Sequence, residues 1–122
     1  MKMALVYDTE GRKPDHFRLS EDLILTASDG AFFRIPAGFM TDGASVPGLL
    51  QGFVHPIHRD FPADAFHDYH YENRRYYDFS RREIDGYWLE FMRKYNPDHP
   101  ARTLVKYLYV RALGWWNWRY YA

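Results

Sequence analysis

The first half of the chain carries short apolar runs separated by turn residues. The runs at residues 23–27 and 31–35 flank a Ser-Asp-Gly cluster at 28–30, and an Asp-Gly turn between two such runs is typical of a β-hairpin. Residues 2–7 predict a further strand. The glycines, prolines and small residues from 38 to 52 predict a loop that can bring backbone groups close to a ligand.

The second half follows helical periodicity. Pro62 suits the first turn of a helix that runs to about Asn73. A second helix begins at Ser80, which forms a capping-box pattern with Glu83 three residues later. Pro97 ends this helix. Its apolar residues recur at helical spacing: Ile84, Tyr87, Trp88, Phe91, Met92 and Tyr95.

A third helix is predicted from Pro100. The same spacing recurs there in Val105, Leu108, Tyr109, Ala112, Leu113 and Trp116. Together the patterns predict an α+β fold, with a small N-terminal antiparallel β-sheet or hairpin followed by a three-helix C-terminal bundle. We expect a single domain over residues 1–122, with strands and loop mainly in 1–52 and helices mainly in 60–118.

Composition narrows the classes of function. The chain has 122 residues, of which 47% are hydrophobic. This length suits one hydrophobic core and is too short for two. Lysine plus arginine equals aspartate plus glutamate at 16 each, so net charge gives no reason to expect a nucleic-acid partner. There is no cysteine, and no apolar stretch approaches the roughly 18 residues of a transmembrane helix. Asp8 comes too early for the apolar region of a signal peptide, so we expect a protein that is cytoplasmic at synthesis.

Aromatic residues make up 20% of the chain and are densest at residues 115–121. Such rings bury large areas, and Trp and Tyr also suit interfaces that are apolar on one side and wet on the other. Core or oligomer contact is favoured over lipid contact here, because soluble monomers seldom expose large apolar patches.

Two predicted helices carry the candidate chemistry. His67 and Tyr71 are four residues apart and share a helical face, whereas Asp68 points about 100° away from His67. Asp85 flanks the apolar stripe of the next helix, and a half-buried carboxylate needs a partner. If the two helices pack antiparallel, His67 is the candidate partner of Asp85. Such a carboxylate fixes the tautomer of the imidazole and strengthens it as a base.

Other interpretations of these residues stay open. The His67–Asp85 pair can be a polar contact that fixes the helix register, with Asp68 paired to Arg81 or Arg82. Two His-x-x-His steps, at 55–58 and 67–70, suggest zinc, although Pro56 interrupts the first. Arg81 and Arg82, with the arginines at 74–75, form a basic cluster that can receive phosphate or can be a solvated loop with local salt bridges.

Residues 65–71 and 80–85 resemble the paired helices of secreted phospholipases of the A-two class, especially the short prokaryotic kind, which carry a His-Asp-x-x-Tyr helix facing a second helix with an Arg-x-Ile-Asp-like run. The resemblance covers about a quarter of the chain. It implies a Ca²⁺-assisted ester or phospholipid hydrolase with His67 as the base, Asp85 as its partner and Tyr71 positioning both. Asp68 would hold the cation. The glycine-rich calcium loop of those enzymes has no counterpart here, and from their position the backbone carbonyls of residues 41–43 and the Asp42 side chain are expected to supply the other oxygen ligands.

A broader pattern joins residues 36–47, the His-Asp-x-x-Tyr segment and the Ser-Arg-x-Glu-x-Asp run. Their order and spacing are similar to domain-of-unknown-function family 1353, found mostly in bacteriophages and prophages. The resemblance implies a phage setting, in which the product is made in the host cytoplasm and can enter the virion. It leaves open a phage-associated hydrolase, a host-directed effector, and a non-catalytic virion, tail or assembly protein. In the last case the aromatic C-terminal helix would contact phage structural proteins or a second copy.

Overall fold

Two small antiparallel sheets make up the strand part of the fold. In the computed structural model, which describes residues 5–7, 17–41 and 61–120, the first sheet has the strand order β1-β2-β5. The second is the hairpin β3-β4. The strands are β1 Leu5–Tyr7, β2 Phe17–Leu19, β3 Leu23–Thr26, β4 Phe32–Ile35 and β5 Met40–Thr41. Strand β5 occupies the start of the predicted loop because its two residues pair with Phe17 and Arg18 of β2.

The β3-β4 hairpin follows directly from its sequence. Gly30 adopts a positive φ of 89°, which glycine accepts without strain, and its N–H donates to the carbonyl of Ala27. The Asp29 carboxylate accepts from the N–H of Ala31 at 2.9 Å. Buried and exposed residues alternate along both strands, so one face of the hairpin packs on the core and the other faces solvent.

Four helices follow in the described part of the chain. They are α1 Phe61–Glu72, α2 Arg81–Tyr95, α3 Pro100–Leu113 and the short α4 Trp115–Tyr120, with a 3₁₀ turn at Arg74–Tyr76 between the first two. The predicted α+β class is thus confirmed, and the third predicted helix is divided at Gly114. None of the helices described is both long and apolar enough to cross a bilayer.

The predicted N-terminus of α2 is confirmed in detail. The Ser80 hydroxyl accepts from the backbone N–H of Glu83, and the Glu83 carboxylate accepts from the backbone N–H of Ser80. These two bonds satisfy backbone donors that a helix end otherwise leaves unpaired. Inside the helix, Ile84, Trp88 and Phe91 are buried and pack toward α1 and the hairpin.

The predicted apolar face of α3 is wrong. Residues that were expected to pack inward are exposed: Val105 at 43%, Leu108 at 55%, Leu113 at 47% and, beyond Gly114, Trp116 at 64%. The buried positions of α3 are instead Thr103, Lys106 and Val110. The helix is rotated so that a lysine faces the interior and most of its leucines face outward.

A buried ion pair explains this rotation. The Lys106 ammonium lies 3.0 and 2.9 Å from the two carboxylate oxygens of Asp64 on α1, and both residues are at most 3% exposed. The indole N–H of Trp88 on α2 donates to the same carboxylate at 3.0 Å. Because an unpaired buried carboxylate is costly, Asp64 requires a cation from the third helix. Periodicity within α3 cannot reveal that requirement.

We predict that Lys106→Met lowers the free energy of unfolding by about 3–5 kcal/mol, because it leaves the Asp64 charge buried without its cation. The double variant Asp64→Asn/Lys106→Met should recover part of this loss, since neither side chain is then charged and the amide oxygen can still accept from Trp88. Chemical denaturation of the two single variants and the double variant measures the coupling. A loss below about 1 kcal/mol in Lys106→Met contradicts the prediction.

His70 is a second buried ionisable group. It is 3% exposed among the rings of Phe33, Phe66 and Tyr77. Burial lowers the pKa of His70 to about 4, although its hydrogen bond to the Phe66 carbonyl acts in the opposite direction. His70 is therefore neutral in the folded protein at neutral pH, and its burial is compatible only with that form.

This gives a pH dependence with a defined sign. Between the ordinary pKa of 6.5 and the folded pKa of about 4, the unfolded chain binds a proton at His70 and the folded chain does not. Stability should therefore fall by about 2–3 kcal/mol between pH 7 and pH 4.5. Chemical denaturation at several pH values in this window gives the free energy of unfolding as a function of pH. Its slope against pH should be shallower in His70→Phe than in the wild type. An equal slope in both proteins contradicts the assignment to His70.

Candidate active site around Asp85

The candidate site is centred on the carboxylate of Asp85, whose side chain is fully buried. Its Oδ1 atom accepts two hydrogen bonds from α1. The Nε2 atom of His67 lies 2.7 Å away, and the hydroxyl of Tyr71 lies 2.6 Å away. The structure therefore brings together the three residues to which the sequence assigned the catalytic roles.

The second oxygen of Asp85 meets two arginines. Nη1 of Arg111, from the last turn of α3, donates to Oδ2 at 2.7 Å, and Nη1 of Arg81, one turn earlier on α2, lies at 3.3 Å. Arg81 also donates to the backbone carbonyls of Val110 and Arg111, both at 3.0 Å. Those carbonyls lie at the C-terminus of α3, where a cation is favourable. One guanidinium thus joins α2 to the end of α3.

Local sequence spacing explains most of this geometry. His67 and Tyr71 are one turn apart on α1, and Arg81 and Asp85 are one turn apart on α2, so each helix presents two partners on one face. Contact between α1 and α2 then closes the cluster, as the His67–Asp85 bond requires. The imidazole lies between the rings of Tyr71 and Trp88, each with its centroid 4.2 Å away.

Asp85 remains ionised at neutral pH. Burial alone would raise the pKa of the Asp85 carboxyl, but the hydrogen bonds from His67, Tyr71 and Arg111 outweigh it and hold the pKa below its usual range. Burial raises the pKa of the Tyr71 phenol, and the Asp85 charge adds to the effect, so Tyr71 keeps its proton.

The ionised state of Asp85 fixes the tautomer of His67. An ionised carboxylate only accepts hydrogen bonds, so Nε2 must carry the proton that it donates to Asp85. In the neutral ring, Nδ1 then holds a lone pair. Within the described residues no hydrogen bond involves Nδ1, and the His67 side chain keeps 13% exposure. The geometry therefore leaves one basic nitrogen available at the edge of a buried polar cluster.

The other predicted site residues lie outside this cluster or hold it together. Asp68 is half-buried on α1, and the Asp42 position lies outside the described residues. Arg82 is exposed, whereas Nη1 and Nη2 of Arg81 both donate hydrogen bonds inside the protein. Over residues 5–7, 17–41 and 61–120 there is no group of three or more acidic, histidine or cysteine side chains placed to hold a metal. His55 and His58 fall outside the ranges described.

Sequence reasoning did not find Arg111. Its contact with Asp85 joins residues 26 positions apart and depends on the rotation of α3, which the apolar pattern of that helix misrepresents. The contribution of Trp88 was also missed, because an aromatic residue on an apolar stripe reads as core. Trp88 is indeed buried, but it packs on the His67 ring and donates to Asp64.

Comparison with known proteins gives one result that identifies a family. No curated protein and no solved structure matches the chain significantly. A family model described as "Protein of unknown function (DUF1353)" matches residues 17–110, which include both strands of the hairpin and every residue of the Asp85 cluster except Arg111. Because this match covers well over half of the 122 residues, the chain belongs to domain-of-unknown-function family 1353.

Proposed function

We propose that the protein is a phage-associated hydrolase of carboxylic esters, in which His67 acts as the general base. The observation that carries the proposal is the 2.7 Å contact between His67 Nε2 and the buried Asp85, together with an Nδ1 atom that has no hydrogen bond among the described residues. A neutral imidazole held in one tautomer by an ionised carboxylate is the arrangement that general-base catalysis uses.

The proposed reaction consumes one water molecule for each ester bond that is hydrolysed. Nδ1 of His67 takes a proton from the water as its oxygen attacks the ester carbonyl. The resulting imidazolium donates through Nε2 to Asp85, whose negative charge stabilises it. When the tetrahedral intermediate collapses, Nδ1 returns the proton to the departing alcohol oxygen. The products are a carboxylic acid and an alcohol, and His67 is neutral again.

The remaining members of the cluster would act as positioning residues. Tyr71 donates to the same oxygen as His67 and packs against the imidazole, which restricts the ring orientation. Arg81 and Arg111 balance the buried charge of Asp85 from the opposite oxygen. This support keeps Asp85 ionised, which the tautomer of His67 requires.

Calcium and phosphate binding are additional proposals, of which the first rests on the resemblance to the phospholipases and the second on the arginines at 74–75 and 81–82. Ca²⁺ needs six to eight oxygen ligands, and among the proposed residues only Asp68 and Thr41, the last residue of β5, lie in the described part of the chain. The proton-transfer steps are therefore assigned to the chain's own residues alone. If the substrate is a phospholipid, the exposed Arg82 is better placed for its phosphate than Arg81, whose Nη1 and Nη2 both donate hydrogen bonds inside the protein.

We predict that His67→Gln lowers kcat/KM on a short-chain ester such as 4-nitrophenyl butyrate, or on dioctanoyl phosphatidylcholine, by about 10²–10⁴-fold. The glutamine amide can still donate to Asp85 but is not a base, so the melting temperature should stay close to that of the wild type. A spectrophotometric or titrimetric assay, run with Ca²⁺ and with a chelator, measures both the loss and any dependence on the cation.

His99→Gln is the matched control, because His99 pairs with Asn96 at a different place in the fold. Its activity should equal that of the wild type. Equal rates in His67→Gln and the wild type would rule out His67 as the base. Absence of ester hydrolysis by the wild type, with and without Ca²⁺, would remove the hydrolase proposal altogether.

A second candidate function is a non-catalytic virion, tail or assembly protein, and the exposed side of α3 and α4 specifically favours it. Leu104, Leu108 and Trp116 are 47%, 55% and 64% exposed. Residues 100–120 contain no acidic side chain. An exposed apolar surface of this kind often marks a contact with another protein, which would be a phage structural protein or a second copy.

We predict that Leu104→Glu/Leu108→Glu abolishes any self-association or partner binding while the fold is retained, since both side chains already face solvent. Size-exclusion chromatography with light scattering, over a range of protein concentrations, measures the self-association. Tyr76→Glu is the control, because Tyr76 is 71% exposed but lies in the 3₁₀ turn. If the wild type is monomeric at high concentration, contact with a second copy is excluded and a phage protein remains the expected partner.

A further inference from the structure

An aromatic pocket lies beside the free edge of the hairpin and takes no part in the Asp85 cluster. Its volume is about 260 Å³. Its walls include Phe32 and Arg34 of β4, Tyr69 and His70 of α1, and Tyr77 and Phe79 of the connection to α2. Pockets that hold whole drug-sized ligands measure roughly 300–1,000 Å³, so this one suits a single ring or side chain.

His70 places one hydrogen-bond acceptor in this pocket. Its Nδ1 atom lies 2.9 Å from the Phe66 carbonyl, and because a carbonyl only accepts, Nδ1 must carry the proton. In the neutral ring, Nε2 is therefore an acceptor. His70 is only 3% exposed, and its Nε2 makes no hydrogen bond within the described residues. An acceptor that lines a pocket and has no partner within the described residues can take a donor from a ligand.

The rest of the pocket is mainly aromatic, and its one charged lining residue among the described residues, Arg34, is paired with the Asp22 carboxylate at 2.7 Å. The hydroxyls of Tyr69 and Tyr77 lie 2.8 Å apart and are hydrogen-bonded to each other. Burial, with the bond to Tyr77, raises the pKa of Tyr69 to about 12, and burial lowers the pKa of His70 to about 4, so neither group carries a charge at neutral pH. These surroundings favour a ring with one N–H or O–H group over an ion.

Strand β4 offers backbone partners next to the pocket. The N–H of Ala27 donates to the carbonyl of Ala31, so the pairs 25/33 and 23/35 are the hydrogen-bonded ones in this antiparallel ladder. The backbone groups of Phe32 and Arg34 consequently point away from β3. No other described strand pairs with β4. Within the described residues the strand therefore presents an open edge, and both Phe32 and Arg34 line the pocket.

We propose that this edge binds an extended segment of a partner protein as an added strand, with a Trp or Tyr side chain of that segment seated in the pocket. The backbone of the segment pairs with Phe32 and Arg34, and its indole N–H or phenol O–H donates to Nε2 of His70. Strand addition obtains affinity from main-chain hydrogen bonds and specificity from a side-chain pocket, and both elements are present here.

The test is a titration of the full ¹⁵N-labelled chain with the peptide Ac-Thr-Thr-Trp-Thr-Thr-NH₂, followed by NMR. The amide signals of residues 32–36 should shift. The matched peptide with Phe in place of Trp should bind roughly two- to tenfold more weakly, because it cannot donate to His70. N-acetyltryptophanamide should bind more weakly than the Trp peptide, since it cannot extend along the strand. N-methylation of alternate peptide residues should weaken binding for the same reason.

Two variants separate the pocket from the fold. In His70→Phe the ring is kept and the acceptor is lost, so the Trp and Phe peptides should bind equally well. In Tyr77→Ala a half-exposed wall of the pocket is removed, and both peptides should bind more weakly. Equal binding of the two peptides to the wild type would overturn the role of His70. Absence of shifts at residues 32–36 at millimolar peptide, or N-acetyltryptophanamide binding as tightly as the peptide, would overturn strand addition.

Discussion

The burial of one carboxylate governs how the helices of this protein are assembled. Asp85 has no solvent exposure, and an ionised carboxylate in that position is tolerated only when its oxygens are hydrogen-bonded and its charge is balanced. No single helix supplies enough donors. The imidazole and phenol come from α1, one guanidinium from α2 and another from the end of α3. Removing Asp85 would therefore leave donors from three helices without their shared acceptor, which makes it a point of assembly as well as a candidate catalytic group.

The contacts of Asp85 also indicate whether its cluster with His67, Tyr71, Arg81 and Arg111 has only a structural role. Two guanidinium groups already exceed the charge of Asp85, so His67 is not needed as a counter-ion. A purely structural cluster would be complete with the arginines and Tyr71. His67 adds a neutral ring with a basic nitrogen and 13% exposure. A nitrogen lone pair that the charge balance of Asp85 does not require favours a chemical role for His67.

Sequence reasoning succeeded where the determining interactions are local. The hairpin follows from Asp29 and Gly30, and the start of α2 follows from Ser80 and Glu83. The contact of His67 with Asp85 was also predictable, because each residue lies at a fixed place on its helix and the short connection favours antiparallel packing. The orientation of α3 was not predictable in this way. It depends on partners 26 and 42 residues away, and its own apolar periodicity indicates the opposite face.

Two ionic contacts together set that orientation. Lys106 reaches Asp64 on α1, and Arg111 reaches Asp85 on α2, so α3 is held at two points along its length. Satisfying two buried carboxylates in this way turns Leu104 and Leu108 toward solvent, which forgoes the roughly 1.5–3 kcal/mol that burying each leucine would contribute. Leaving the two buried carboxylates unpaired would cost more than this, so the ionic contacts determine the orientation of α3 in the isolated chain. Over residues 5–7, 17–41 and 61–120 no element covers the apolar side of α3, so association with another molecule would bury it and add stability.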